Sequence, residues 1–191
     1  GIGEAVTPGA PAMGATVVCL DVKADAAESV AKKIGGATTS GALDITDEAA
    51  VERTFSEINA KHGRLDIVIS TPSINVRKKM LDYLPGEIDR VLSVNIVGNF
   101  NVLRAAGRIM VQQRKGSIVL FSSIRSLVVE PGQAVYSATK AGILQLARGG
   151  ASEIGPFGVR VNGVGPGVVE TPLTARMTAN ADCANAYAAN N

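Results

Sequence analysis

Short apolar, β-branched runs alternate with helically spaced patterns along this 191-residue chain, and that alternation limits the fold more than any other feature. Ala15 to Leu20, Leu65 to Ile69, Ser117 to Phe121 and Val159 to Val164 read as strands, with Ala37 to Leu43 as a weaker edge strand. These runs are apolar on both faces, which predicts parallel strands covered by helices on both sides. Between them, Asp47 to Lys61 opens on acidic residues, sets Val51, Phe55 and Ile58 in one stripe and stops at Gly63. Glu87 to Met110 carries Ile88, Val91, Leu92, Ile96, Phe100 and Leu103 at helical spacing, and Gln133 to Glu153 forms a further helical segment. Strand alternating with helix in four or five units predicts a doubly wound parallel sheet of Rossmann-like type. The length fits one domain, residues 1–191.

On that frame the most informative side chains are Tyr136 and Lys140, four residues apart, with Ser123 thirteen positions before Tyr136. Positions i and i+4 share a helix face, so phenol and ammonium point the same way. A phenol titrates near pH 10, and a neighbouring ammonium is expected to pull it down toward a range useful for proton transfer at neutrality. Ser123, just after an apolar run, is placed to hydrogen-bond the same substrate oxygen.

Composition closes off other classes. Formal net charge is +2, and the densest basic run is Arg77-Lys78-Lys79, so a nucleic-acid-binding stripe is absent. No apolar stretch approaches the ~20 residues that cross a bilayer, so no membrane association is expected. Cys19, inside a strand, and Cys183 read as reduced thiols of a cytoplasmic protein. The single histidine, His62, sits at a helix end as a dipole-compensating residue, and no metal site is expected.

The chain resembles the single-domain short-chain dehydrogenases/reductases over residues 1 to about 175. The matching motifs, in order, are Gly1-Ile2-Gly3, Leu20-Asp21, Leu43-Asp44-Ile45-Thr46, Asn95, Ser122-Ser123, Tyr136-Ser137-Ala138-Thr139-Lys140 and Pro166-Gly167-Val168-Val169-Glu170-Thr171. The resemblance implies catalytic roles for four residues. Ser123 would orient the substrate oxygen, Tyr136 would exchange the proton, Lys140 would bind the nicotinamide ribose, and Asn95 would relay protons through water. It further implies a dinucleotide site formed by Gly1, Ile2, Gly3, Asp21, Val22, Asp44, Ile45, Ser70, Tyr136, Lys140, Pro166, Gly167, Val169 and Thr171. Asp21 stands 18 residues after Gly3, the offset expected of a ribose-binding carboxylate, and it favours NAD over NADP. Asp44 would meet the adenine, or otherwise serve as an acid near a helix N-terminus. A homodimer or homotetramer follows by resemblance alone.

Four departures stand out. The strand that would precede the glycine turn is not in the sequence, nor is the family's last strand, so the domain is expected to be incomplete at both ends. Ser70-Thr71-Pro72-Ser73 replaces the family's Asn-Asn-Ala-Gly, putting cofactor affinity in question. Thr7-Pro8-Gly9-Ala10-Pro11 falls where the first helix belongs, and an interior proline costs about 3 kcal/mol. Gly149-Gly150 interrupts the helix bearing Tyr136, at roughly 1 kcal/mol each.

The leading expectation is an NAD(H)-dependent oxidoreductase interconverting a secondary alcohol and a ketone. A non-catalytic dinucleotide-binding homologue acting as sensor or scaffold is the alternative; a sugar-nucleotide epimerase or dehydratase fits the motifs less well. Arg77 and Arg125 are candidate substrate-carboxylate ligands or plain surface charges, and substrates range over polyols, sugar acids and 3-oxoacyl compounds. Residues 168–191 are expected to form a lid over the substrate.

Overall fold

The computed structural model describes residues 1–171 and Thr174. Two short helices open the chain, α1 (Ile2–Val6) and α2 (Gly9–Ala12). Pro8, which cannot donate to a preceding turn, separates them, so the prolines divide the first helical segment as expected. There follow β1 (Val17–Asp21), α3 (Ala24–Ile34), β2 (Thr38–Ala42), α4 (Glu48–His62) and β3 (Ile67–Ser70). The second half comprises α5 (Glu87–Leu92), α6 (Asn99–Gln113), β4 (Gly116–Phe121), α7 (Ala134–Ile154) and β5 (Val159–Val164).

All strand pairings are parallel, but the described strands form two sheets, β1–β2 and β3–β4–β5. Among the described residues no strand pairs with the second edge of β1 or of β3. The two faces of β3 differ in burial. Val68 and Ser70 are buried, whereas Ile67 and Ile69 on the opposite face are 59% and 45% exposed. The core instead lies where α4, α6 and α7 meet the three-stranded sheet, around Val51, Phe55, Met110, Ile118, Leu120, Ile143 and Val159. The small sheet is linked to it through the segment leaving β2, where Ile45 is buried and its carbonyl accepts from Asn101 Nδ2 at 3.0 Å.

The α4 boundaries follow local chemistry. Asp47 Oδ1 caps the first turn through Ala50 N–H at 2.9 Å, and Gly63 closes the helix in the left-handed conformation at φ 73°. His62 lies in the last turn, as its dipole-compensating reading requires.

The run from Glu87 to Met110 is not one α-helix. A π-helical segment, Ser93–Gly98, separates α5 from α6. Such a segment inserts an extra residue into the turn, and the apolar stripe changes phase across it. Val91 and Leu103 are buried, but Ile88, Leu92 and Phe100 are exposed, and Val102, Ala105, Ala106 and Met110 take the core side. Asn95 occupies the middle of this segment.

Candidate active site

Because the strands of each sheet run parallel, their carboxyl ends collect the loops that carry chemistry. Asp21 ends β1, Asp44 and Ile45 follow β2, Ser70 ends β3, Ser122 and Ser123 follow β4, and Pro166 follows β5. The Pro166 loop is bound to the serine turn, since Ile124 N–H donates to the Pro166 carbonyl at 2.9 Å.

The four residues expected to be catalytic converge. Tyr136 and Lys140 project from the first turns of α7. Lys140 is 3% exposed, its Nζ donates to the Phe121 carbonyl at 2.8 Å and lies 5.5 Å from the Tyr136 ring centroid. Ser122 Oγ donates to the Lys140 carbonyl at 2.7 Å, tying β4 to the helix. Asn95, 1% exposed, uses its whole amide. Its Nδ2 donates to the Ile74 carbonyl at 2.9 Å and to Thr139 Oγ1 at 3.0 Å; its Oδ1 accepts from Ile74 N–H at 2.8 Å and Ser73 Oγ at 3.3 Å. Thr139 Oγ1 in turn donates to the Tyr136 carbonyl at 2.7 Å, so the π-helical asparagine is joined to the tyrosine's own turn. This places a polar amide in an apolar helix at no cost in unpaired groups.

The electrostatics differ from the sequence expectation. Burial raises the Tyr136 phenol above its ordinary range; the Ser123 and Ser73 hydroxyls and the Arg125 charge pull it down, and burial prevails. The Lys140 ammonium, aimed at the Phe121 carbonyl, is not among those opposing groups. Burial instead lowers Lys140 itself to about 8. The expected depression of the phenol by the lysine is therefore corrected: two buried groups are each pushed toward neutrality.

The residues expected to hold a dinucleotide split into two sets. Asp21 is exposed and takes Lys23 N–H on Oδ1 at 2.9 Å; Val22 beside it is exposed. Asp44 does not cap α4, a role held by Asp47; its Oδ1 accepts from Thr46 N–H at 2.9 Å and Thr46 Oγ1 at 2.7 Å, bonds that lower its carboxyl. Gly1 caps α1, with Ile2 and Gly3 in its first turn, and a Cβ on Gly3 would stand 2.9 Å from Thr71 Oγ1. That close approach of α1 to the end of β3 fits the backbone crowding a glycine-rich dinucleotide turn needs. Gly167 and Val169 are exposed beside Pro166, and Thr171 N–H donates to Thr174 Oγ1 at 2.9 Å. Ser70 and Ile45, by contrast, turn their side chains inward. Ser70 Oγ donates to Asn99 Oδ1 at 2.7 Å, and Ile45 packs where a Cβ on Gly98 would meet it at 2.6 Å. In this chain a hydroxyl and an amide on α6 bind the end of β3, replacing the asparagine ties of the motif.

Arg77 and Arg125 are brought together by a residue not singled out in the sequence. Glu130 takes Arg77 on Oε1 and Arg125 on Oε2, each at 2.7 Å. Gln133, at the start of α7, also donates to Glu130, and Asn75 Nδ2 donates to Gln133 Oε1 at 3.2 Å. The group lies between the loops after β3 and β4, directly before Tyr136. Among the described residues no cluster of histidine, cysteine or carboxylates could hold a metal ion, and no helix is long and apolar enough to cross a membrane. Most of the expected lid, and Cys183, lie outside the described residues.

A family model for short chain dehydrogenases matches residues 1–182. The chain is a short-chain dehydrogenase/reductase. Among relatives of this family, it is 32% identical over 180 residues to the 3-oxoacyl-[acyl-carrier-protein] reductase FabG of Thermotoga maritima, spanning 93% of this chain and 73% of that protein. It is 32% identical over 185 residues to the human 3-hydroxyacyl-CoA dehydrogenase type-2, spanning 91% and 71%. Its backbone matches a gluconate 5-dehydrogenase from Burkholderia cenocepacia, solved with NADP and tartrate, at a TM-score of 0.89 and 28% identity, covering 95% of this chain and 72% of that one. Members of the family are oxidoreductases that use a nicotinamide dinucleotide and act on CH–OH or ketone groups, and this chain is one of them.

Proposed function

We propose that this short-chain dehydrogenase/reductase interconverts a secondary alcohol and a ketone on a small hydroxy acid, with NAD as the preferred coenzyme. The observation that carries the reading is the convergence of Ser123 after β4, Tyr136 and Lys140 in the first turns of α7, and Asn95 between α5 and α6. When bound, the nicotinamide ring supplies the hydride acceptor or donor. Tyr136 holds the proton: in the reducing direction its phenol gives O–H to the carbonyl oxygen, and in the oxidising direction its phenolate takes the alcohol proton. Ser123 donates to the same oxygen. The buried Lys140 ammonium would hold the nicotinamide ribose, while Asn95 fixes the Ile74 backbone and the Thr139 hydroxyl around the proton path.

Asp21 supports NAD. An exposed carboxylate at the end of β1 accepts from ribose hydroxyls and repels a 2′-phosphate. Arg77 and Arg125 lie beside the phenol on either side of Glu130, and guanidinium groups so placed suit recognition of a carboxylate substrate. The B. cenocepacia relative, named for gluconate, is consistent with that class. A cytoplasmic setting and a homodimer or homotetramer complete the proposal, the first on cysteine usage and the second on family resemblance.

The test is calorimetric titration with NAD⁺ and NADP⁺, followed by turnover of D-gluconate, tartrate and a 3-hydroxyacyl thioester. NAD⁺ should bind more tightly, and Tyr136→Phe should abolish turnover while sparing NAD⁺ binding. Tight NADP⁺ binding would refute the role given to Asp21, and activity surviving in Tyr136→Phe would refute the mechanism.

A further inference from the structure

Glu130 belongs to none of the motifs, yet three elements of the site meet on it. Its carboxylate accepts from Arg77 Nη2 on Oε1 and from Arg125 Nη2 on Oε2, each at 2.7 Å. Arg77 lies in the loop after β3, and Arg125 in the turn after β4, two residues beyond Ser123. Gln133, 4% exposed and directly before α7, donates to the same Oε1. We propose that Glu130 is a positioning residue for substrate specificity, its carboxylate holding the Arg77 and Arg125 guanidiniums side by side as a cradle for the carboxylate of a hydroxy acid. This rests on the hydroxy-acid reading proposed above.

Two guanidiniums repel, and these are partly withdrawn from water: the Arg125 side chain is 13% exposed, Arg77 42% and Glu130 21%. One carboxyl group with an oxygen on each cation offsets that repulsion. It also limits their separation to two hydrogen bonds and the width of the carboxyl. The carboxylate is itself fixed. Gln133 binds it from the start of α7, and Asn75 Nδ2 donates to Gln133 Oε1 at 3.2 Å, which engages the loop after β3 a second time. Asn95 pins that loop in turn by accepting the Ile74 N–H at 2.8 Å. Between Glu130 and Gln133 the chain turns at Gly132, φ 83°, where a Cβ would stand 3.7 Å from Arg77 Cγ and from the Lys78 carbonyl carbon. Glu130 is therefore built into the packing of both loops and is not a loose acid for a substrate to displace.

The position suits an anionic group on a substrate whose reacting oxygen meets Tyr136. Arg125 N–H donates to Ser123 Oγ at 3.2 Å, so the guanidinium and the substrate-orienting hydroxyl share one short turn. The planar fork of arginine matches a carboxylate at two points, and two forks in fixed relation select an anion at a set offset from the reacting carbon.

Calorimetry with NADH present records the affinity for D-gluconate and tartrate without turnover. Glu130→Gln keeps the shape of the side chain and removes its charge. It should weaken both acids ~10-fold or more, while NADH binding in the same samples shifts by less than about twofold. Arg77→Gln should weaken both acids too. Glu130→Gln added to it should give less than the product of the two single losses, because Glu130 acts in part through Arg77. Acid affinity unmoved or improved in Glu130→Gln overturns the proposal, as does a double loss equal to that product. NADH and acid binding lost together would make Glu130 a structural residue and overturn it as well. An unmodified protein that binds neither acid refutes the hydroxy-acid class and Glu130's role with it, whereas acid binding that Glu130→Gln leaves in place refutes Glu130 alone.

Discussion

At the scale of single residues, Lys140 carries the largest conflict between stability and function. Its ammonium is buried with one described acceptor, the Phe121 carbonyl, and titrates near 8 against about 10.4 in an unfolded chain. Between those values the unfolded chain holds more protons, so stability rises with pH from about 8 upward; above pH 10 the raised Tyr136 phenol acts in the opposite sense. Lys140→Met should therefore raise the melting temperature at pH 7, by the equivalent of ~1–3 kcal/mol, while destroying activity. The same groups set the pH profile of ketone reduction, which needs the phenol protonated and the lysine charged. Reduction should be level at neutral pH and decline above about 8, as steady-state rates against pH would record. A second residue pair is steric. A Cβ on Gly158 would stand 2.4 Å from the Arg114 carbonyl at a φ of 81°, so Gly158→Ala should lower denaturant stability by ~2 kcal/mol or more. Arg114 is itself held at φ 54°, and Arg114→Gly should cost little or stabilise slightly.

Among the elements, α7 and the α5–α6 segment explain what could and could not be read in advance. The tyrosine–lysine spacing predicts a helix bearing both residues on one face, and α7 supplies it, because i,i+4 geometry is a local property. Gly149-Gly150 looked like two equal defects. In the fold they differ: a Cβ on Gly149 meets nothing within 4 Å, whereas one on Gly150 would press on Leu103 at 3.3 Å and Val161 at 3.5 Å. Gly149→Ala should stabilise by ~1 kcal/mol and Gly150→Ala should not, a difference that paired chemical denaturation measures. The π-helical segment was not legible. Within it Asn95 bonds across to Ile74 and Thr139, 21 and 44 residues away in sequence, and no periodicity within Glu87–Met110 contains those partners. Glu130 escaped notice for the same reason, since it matters only through partners brought to it by the fold. Asn95→Ala, which strands the Ile74 N–H and carbonyl, should cost ~2–3 kcal/mol by the same denaturation assay.

For the molecule as a whole, the parallel architecture was legible from strand and helix order, while the extent of burial was not. Burial depends on the whole sheet, and among the described residues Ile67 and Ile69 are exposed on one face of β3. Among the described residues the two sheets are joined by side-chain packing and by contacts such as Asn101 to the Ile45 carbonyl. Amides of β1 and β2 should accordingly exchange with solvent before those of β4, by hydrogen-exchange mass spectrometry, because the small sheet contributes little to the core. The expected dinucleotide residues divide along the same seam, with Asp21 and Asp44 on one sheet and Pro166 and Lys140 with the other. A dinucleotide reaching from Asp21 to Lys140 would stabilise the folded chain by mass action, so the reactant itself would become part of what holds the protein together.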